Sequence, residues 1–261
     1  MSSTTPTKAI LFIGATGGCG RSALQHSLDA GHTCVALART PSKLHDVFPS
    51  NKYPNLRVGQ GNAHDKAAIV PLLAHPADPS RLVDHIIFSI GASFDMSKFA
   101  LDDRDVCKKG IAALLDALAE ARSALSPPSA AAAATAYPRF AFVSTTGISK
   151  FGCDLPIGMA PLYKTMFKIP LRDKEVAESM LTEAGGRGMQ ERWTMVRPSM
   201  LVGGGASDKK IRVGIEDPVK GWEAKSNGYT ISREDVGKWI FQNLVQEQDE
   251  KWVRKTATIS W

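Results

Sequence analysis

The sequence predicts a doubly wound α/β fold around a parallel sheet, and three observations predict it. The apolar run Ile10 to Ile13 breaks into glycine at Gly14, Gly17 and Gly20, then passes directly into a helical pattern at Arg21 to Ala30. Strand-like and helix-like stretches alternate through most of the remaining chain, as a sheet with helices on both faces requires. The length, 261 residues, fits one α/β domain with insertions.

Each element has a local reason. Ile10 to Ile13 can pair as a buried strand. His32 to Ala38 reads as the second strand, and Thr40-Pro-Ser-Lys-Leu opens a short helix. Leu56 to Gly59 is a third strand, ending in Gly59-Gln-Gly-Asn, with helical spacing near Lys66 to Ala74. His85 to Gly91 is a fourth strand, and Arg104 to Leu125 a long amphipathic helix. Residues 126–138, rich in alanine and flanked by proline, read as a loop lengthened by insertion. Phe140 to Ser144 is the fifth strand, Glu175 to Ala184 a helix, and Trp193 to Pro198 the sixth strand. Arg233 to Gln246 reads as the last helix and Thr256 to Ser260 as a last short strand. No repeat and no linker divides the chain, so one domain is expected over residues 1–261.

Right-handed crossovers put ligands beyond the carboxyl ends of such strands, so the residues just after each strand are the candidates. Gly14 permits a tight turn, Gly17 lets the backbone approach a pyrophosphate, and Gly20 lets the helix pack close to the strand. The helix after this turn aims its first amide groups and the positive end of its dipole at that anion. The competing reading is a purely structural turn. A dinucleotide half is therefore expected at about residues 8–150, and a small substrate-covering region at about 151–261. The second strand ends in Ala38-Arg39-Thr40, without the carboxylate that would take the ribose hydroxyls of NAD. An arginine there suits the 2′-phosphate of NADP(H), with Thr40 and Lys43 as helpers; the alternative is a solvated surface arginine. Gly61 and Asn62 can lie against the adenine, and Ser89 and Gly91 near the nicotinamide, although each is also ordinary turn composition.

The composition excludes several classes. The chain is 43% hydrophobic and 22% charged, with no apolar run of membrane-spanning length and no secretory segment, so a cytoplasmic protein is expected. Cys19, Cys34, Cys107 and Cys153 are scattered, and no histidines pair at ligand spacing, so no metal is expected. The net charge of +6 forms no clustered stripe, which argues against nucleic acid.

With these residues in hand, the chain resembles the atypical short-chain dehydrogenase/reductases, specifically their NmrA-like, NAD(P)H-binding group, over nearly its whole length. The likeness rests on Gly14-Ala-Thr-Gly-Gly-Cys-Gly, Ala36-Leu-Ala-Arg39, Phe142-Val-Ser-Thr-Thr-Gly, Val196-Arg-Pro198 and Ile231-Ser-Arg-Glu-Asp-Val236. It implies Thr16, Gly18 and Cys19 as further cofactor contacts, with Ser144 and Arg197, the last as a structural or cofactor-positioning residue. Classical members use Tyr-x-x-x-Lys, and Lys174 matches the lysine that holds the ribose. The place four residues earlier is Pro170, which has no proton to give. Tyr163 can reach the pocket from the preceding loop or can simply pack its ring. Ser144, Thr145 and Thr146 offer hydroxyls that polarise a carbonyl or close a turn, and Asp154 is the nearest candidate acid or base. Met159, Tyr163, Met166, Phe167 and Trp222 can form an apolar lid or ordinary core.

The resemblance implies an NADPH-dependent oxidoreductase reducing a small hydrophobic carbonyl, enone or quinone-like acceptor by direct hydride transfer. The alternatives are a non-catalytic NADP(H) redox sensor acting on a protein partner, and a non-redox isomerase using the cofactor as scaffold. A monomer or weak homodimer is expected.

Overall fold

β1 (Ala9–Ile13) is buried along its whole length, and the sheet is built outward from it. The computed structural model describes residues 6–92, 94–95, 100–125, 137–183 and 192–261. After β1 come α1 (Gly18–Asp29), β2 (Thr33–Ala38), α2 (Ser42–His45), β3 (Leu56–Gln60), α3 (Lys66–Ile69), β4 (Ala74–His75) and β5 (Asp78–Leu82). β6 (His85–Phe88) returns to the sheet, followed by β7 (Phe94–Asp95), β8 (Ala100–Leu101), α4 (Val106–Ser123) and β9 (Arg139–Val143). The remainder is α5 (Ala160–Met166), α6 (Lys168–Glu183), β10 (Trp193–Pro198), β11 (Met200–Val202), β12 (Arg212–Asp217), β13 (Gly221–Ala224), β14 (Thr230–Ser232), α7 (Arg233–Ile240) and β15 (Lys255–Ser260).

Nine strands form the main sheet in the order β13-β12-β15-β10-β9-β6-β1-β2-β3. All neighbours from β3 to β15 are parallel, whereas β12 and β13 join antiparallel. This is the expected Rossmann-type doubly wound sheet. The chain leaves β1 for β2 and β3, then crosses back to β6, so the topological switch lies between β1 and β6, where such folds bind ligands.

Strand alternation divides the core. Leu11, Ile13, Phe88 and Phe142 face α4 and α6, while Ile10, Phe12, Ile87 and Val143 face α1 and α7. α1 and α7 approach closely because Gly237 lies against α1. A Cβ there would stand 2.4 Å from the Ser22 Cβ and 2.5 Å from the Ala23 nitrogen. The Ser22 hydroxyl donates to the Glu234 carbonyl at 2.8 Å across the same seam.

Several boundaries differ from those expected. The helix expected from Glu175 starts at Lys168, because Pro170 sits in its first turn, where a missing N–H costs nothing. The last helix is α-helical only to Ile240 and continues as a π-turn over Phe241–Gln246. The hairpins β4–β5 and β12–β13 mix polar and apolar residues and show no continuous apolar run to read. Within residues 151–261, β10, β12, β13 and β15 belong to the main sheet. Trp222 lies in the edge strand β13, not in a lid. Residues 126–136 of the alanine-rich loop and the side chain of Met166 lie outside the described residues.

Among the described residues no helix is long and apolar enough to cross a membrane, and no cluster of His, Cys, Asp or Glu could hold a metal ion.

Gly237→Ala should destabilise the protein by about 1–3 kcal/mol in chemical denaturation, because α1 and α7 must separate. A second expectation concerns pH. His85 is buried at the start of β6; desolvation first, then Lys8 and Arg139, hold its pKa well below 6.5. The unfolded chain therefore binds a proton that the folded chain refuses, so stability falls as pH drops below about 6.5. His26 and His32 shift the same way through burial. The melting temperature should fall between about pH 7.5 and about pH 5.5, and fall less in His85→Asn.

Candidate active site

The carboxyl ends of β1, β2, β6 and β9 open into a cleft in two joined halves that share Gly17, Ser89, Ile90 and Gly91. One half, about 350 Å³, runs from the glycine turn past Arg39, Lys43, Gly61 and Asn62. The other, about 400 Å³, is bounded by Gly18, Cys19, Ser144, Thr145, Tyr163 and Lys174, among others.

At Gly14 and Gly20 the passage from β1 into α1 has room for backbone only. Gly14 adopts φ +99°, and a Cβ on it would meet the Ser89 carbonyl carbon at 2.8 Å. A Cβ on Gly20 would lie 2.2 Å from the Ser89 Oγ and 2.7 Å from the Gly14 oxygen. Gly17 caps α1 with no side-chain hydrogen bond, and the first turn carries no acidic residue. The leading amides of α1 therefore face the cleft with neither a side-chain cap nor a local carboxylate to compete with an anion. Thr16 lines the adjoining half from the same turn.

Lys174 stands at the join of the halves. Its ammonium donates to the Ile90 carbonyl at 2.7 Å and the Val143 carbonyl at 2.6 Å, tying the ends of β6 and β9 together. Two of its three protons are committed there, leaving one for a ligand. The helix that carries it is fixed by its neighbour. The Asp173 carboxylate accepts the amide protons of Cys107 and Lys108 at 2.8 and 2.9 Å, so α6 supplies the N-terminal cap that α4 does not find in its own Asp105.

Pro170 lines the cleft one turn before Lys174, and Tyr163 and Phe167 line it from α5 and the residue after it. The Tyr163 ring packs on Phe167, centroids 5.3 Å apart, and on Gly147, Leu155 and Leu171. It is thus both cleft wall and core. Burial pushes its phenol above the ordinary value, the Asp154 carboxylate adds to this, and a hydrogen bond with Thr146 opposes it. Asp154 itself is buried outside the cleft lining, accepts the Gly147 N–H at 2.9 Å, and has its pKa raised by desolvation.

Ser144 and Thr145 line the cleft, whereas Thr146 turns inward towards Tyr163. The Thr145 hydroxyl donates to the Thr146 carbonyl at 3.1 Å. The Ser144 and Ser199 hydroxyls are buried in the cleft lining without a hydrogen-bond partner among the described residues. Such groups call for a polar ligand. Burial pushes the Cys19 thiol up to about 11, so it remains a neutral thiol.

Arg197 does not reach the cofactor cleft. Its Nε and Nη2 donate to Glu178 at 3.0 and 2.5 Å and its Nη1 to Glu216 at 2.9 Å, beside a separate cavity of about 170 Å³ on the other flank of α6. A buried guanidinium needs carboxylates, and those two fix its direction. Ser199 and Arg233 are among the lining residues that escaped the sequence reasoning. Ser199 comes directly after the sixth strand, and the rule of reading the residue after each strand would have found it. Arg233 opens α7 and lines the cleft beside Gly18; only the Ser-Arg-Glu-Asp segment hinted at it.

These parts fit a dinucleotide: a tight glycine turn, uncapped helix amides, cations at one end and orphaned hydroxyls at the other. Comparison with known proteins agrees. A family described as NAD(P)H-binding matches residues 14–247. The chain is 38% identical to the reductase pytE of Aspergillus terreus, covering 100% of both chains. It is 32% identical to the oxidase pynE of Aspergillus niger, over 96% of this chain and 98% of the other. Among solved structures, a short-chain dehydrogenase/reductase from Veillonella parvula superposes with TM-score 0.66 at 14% identity, covering 98% of this chain and 94% of that one. The anaerobillin reductase ChuY of Escherichia coli O157:H7 superposes with TM-score 0.64 at 19% identity, covering 96% of each. At those identities the superpositions speak for the fold, while the family match and the two Aspergillus relatives speak for kinship. The chain belongs to the NAD(P)H-binding family.

Proposed function

We propose that the protein is an NADPH-dependent oxidoreductase that reduces a small hydrophobic carbonyl, enone or quinone-like acceptor. One observation carries this reading: a single cleft runs from Arg39 and Lys43, past the glycine turn, to a chamber walled by Tyr163, Phe167, Leu171 and Leu201. The names of the two Aspergillus relatives, a reductase and an oxidase, support redox chemistry on this chain as well.

The residues divide the work. Arg39, with a planar fork of donors, and Lys43 take the 2′-phosphate at the exposed end. Gly61 and Asn62 lie along the adenosine side, and the α1 amides take the pyrophosphate. Lys174 offers its remaining proton to the ribose hydroxyls. A reduced nicotinamide bound in this cleft supplies a hydride to the acceptor. The apolar wall orients that acceptor and keeps water from it. Hydroxyls of Ser144 and Ser199 offer hydrogen bonds to its oxygen, and solvent delivers the matching proton, since Pro170 holds none. An acceptor with a low intrinsic barrier needs no strong side-chain acid, which agrees with proline at that place.

The test is a parallel titration of NADPH and NADH against wild type and Arg39→Glu, followed by acceptor turnover. The expected result is a preference for NADPH that Arg39→Glu reduces at least tenfold, because a charge-assisted pair becomes a repulsion. NADPH consumption with an apolar quinone or enone completes the case. Tight NADPH binding with no turnover against such acceptors overturns the reductase and leaves the redox sensor. Tyr163→Phe should lower kcat by about tenfold or less, whereas loss of a general acid costs about a hundredfold or more.

A further inference from the structure

Gly18 is the glycine of the turn that phosphate binding alone does not explain. Its φ is not in the left-handed region, and unlike Gly14 and Gly20 it does not meet the ends of the strands. What it meets is Arg233. A Cβ at position 18 would stand 2.5 Å from the Arg233 Cδ, 2.8 Å from its Cβ and 3.2 Å from its Cγ. The arginine side chain therefore lies along the first turn of α1, held there by the close seam between α1 and α7.

Its charge is uncommitted. The nearby carboxylates are turned elsewhere: Glu234 towards Arg21 at 4.0 Å, and Asp235 onto the Ser207 amide and hydroxyl and the Trp261 indole. No hydrogen bond or ion pair engages Arg233 among the described residues, and its side chain is exposed at the cleft. The half of the cleft it lines contains two cations, Arg233 and Lys174, and no carboxylate among the described residues. Lys174 has spent two protons on carbonyls. Arg233 is the cation with all five donors available.

We infer that Arg233 is a pyrophosphate ligand, reaching from α7 across Gly18 to close the dinucleotide's diphosphate against the first amides of α1. The inference rests on the dinucleotide-binding reading and adds a residue to it. Gly18 then serves to let the guanidinium lie flat on the turn, and Gly237 serves to bring α7 near enough for the reach. The diphosphate is gripped from two helices that are distant in sequence, one by backbone amides and the other by a side chain.

The test compares NADPH with adenosine 2′-phosphate, which carries the 2′-phosphate and lacks the pyrophosphate. Binding is measured calorimetrically for wild type, Arg233→Gln, Arg233→Lys and Gly18→Ala, with thermal melts to check folding. Arg233→Gln should weaken NADPH about tenfold or more and leave adenosine 2′-phosphate unchanged, because one charge-assisted contact to the diphosphate is removed. Arg233→Lys should recover part of the loss, and Gly18→Ala should reproduce it by lifting the side chain. Unchanged NADPH affinity in Arg233→Gln overturns the inference while leaving the dinucleotide site standing. So does an equal loss for both ligands. An unchanged NADPH affinity with a raised KM for an acidic acceptor assigns the arginine to substrate instead. Wild type that binds neither NADPH nor NADH overturns the site and the inference together.

Discussion

The passage from β1 into α1 is too tight for a side chain at two positions, Gly14 and Gly20. Gly14 and Gly20 press against Ser89 at the end of β6, so three elements meet backbone to backbone at the switch point of the sheet. That contact sets the height of α1 above the sheet and the direction of its leading amides. The seam between α1 and α7 repeats the device at Gly237, and the two contacts together carry the first turn of α7 to the rim of the cleft. Cofactor geometry in this protein is thus a packing problem before it is an electrostatic one.

Electrostatics then works with little to oppose it. The cleft half beside α1 is lined by cations and hydroxyls, and the carboxylates of the neighbourhood are spent on other tasks. Asp173 caps α4, Asp235 holds Ser207 and Trp261, and Glu178 and Glu216 hold Arg197. The pairing of Arg197 with two acids is a buried network that joins β10, α6 and β12. It helps attach the antiparallel edge to the parallel sheet and takes no part in the cleft.

Much of this was legible in the residues. β1, β2, β6, β9 and β10 are buried on both faces, and most of them appear as short apolar runs. The glycine turn, Arg39, Gly61, Asn62, Ser89 and Lys174 could be placed because they sit at fixed distances from those runs. The hairpins β4–β5 and β12–β13 could not, because their strands are only partly buried and carry no continuous apolar run. The direction of Arg197 and the address of Trp222 depend on partners far away in sequence. Arg233 was hidden for the same reason: its meaning comes from a glycine 215 positions earlier, and no local rule connects the two.

Asp173 and Lys174 are neighbours in sequence with different duties, one capping α4 and the other tying β6 to β9 in the cleft. Val106, the first residue of α4, lines the half of the cleft that runs past Arg39, while Lys174 lines the half bounded by Tyr163. The two halves of the cleft are therefore joined by one rigid dipeptide. In the language of linkage, a ligand fragment that orders the start of α4 also restricts the ammonium, and a fragment held by that ammonium steadies the start of α4. Adenosine and nicotinamide fragments bound as separate molecules would then strengthen each other's hold, with no covalent bond between them.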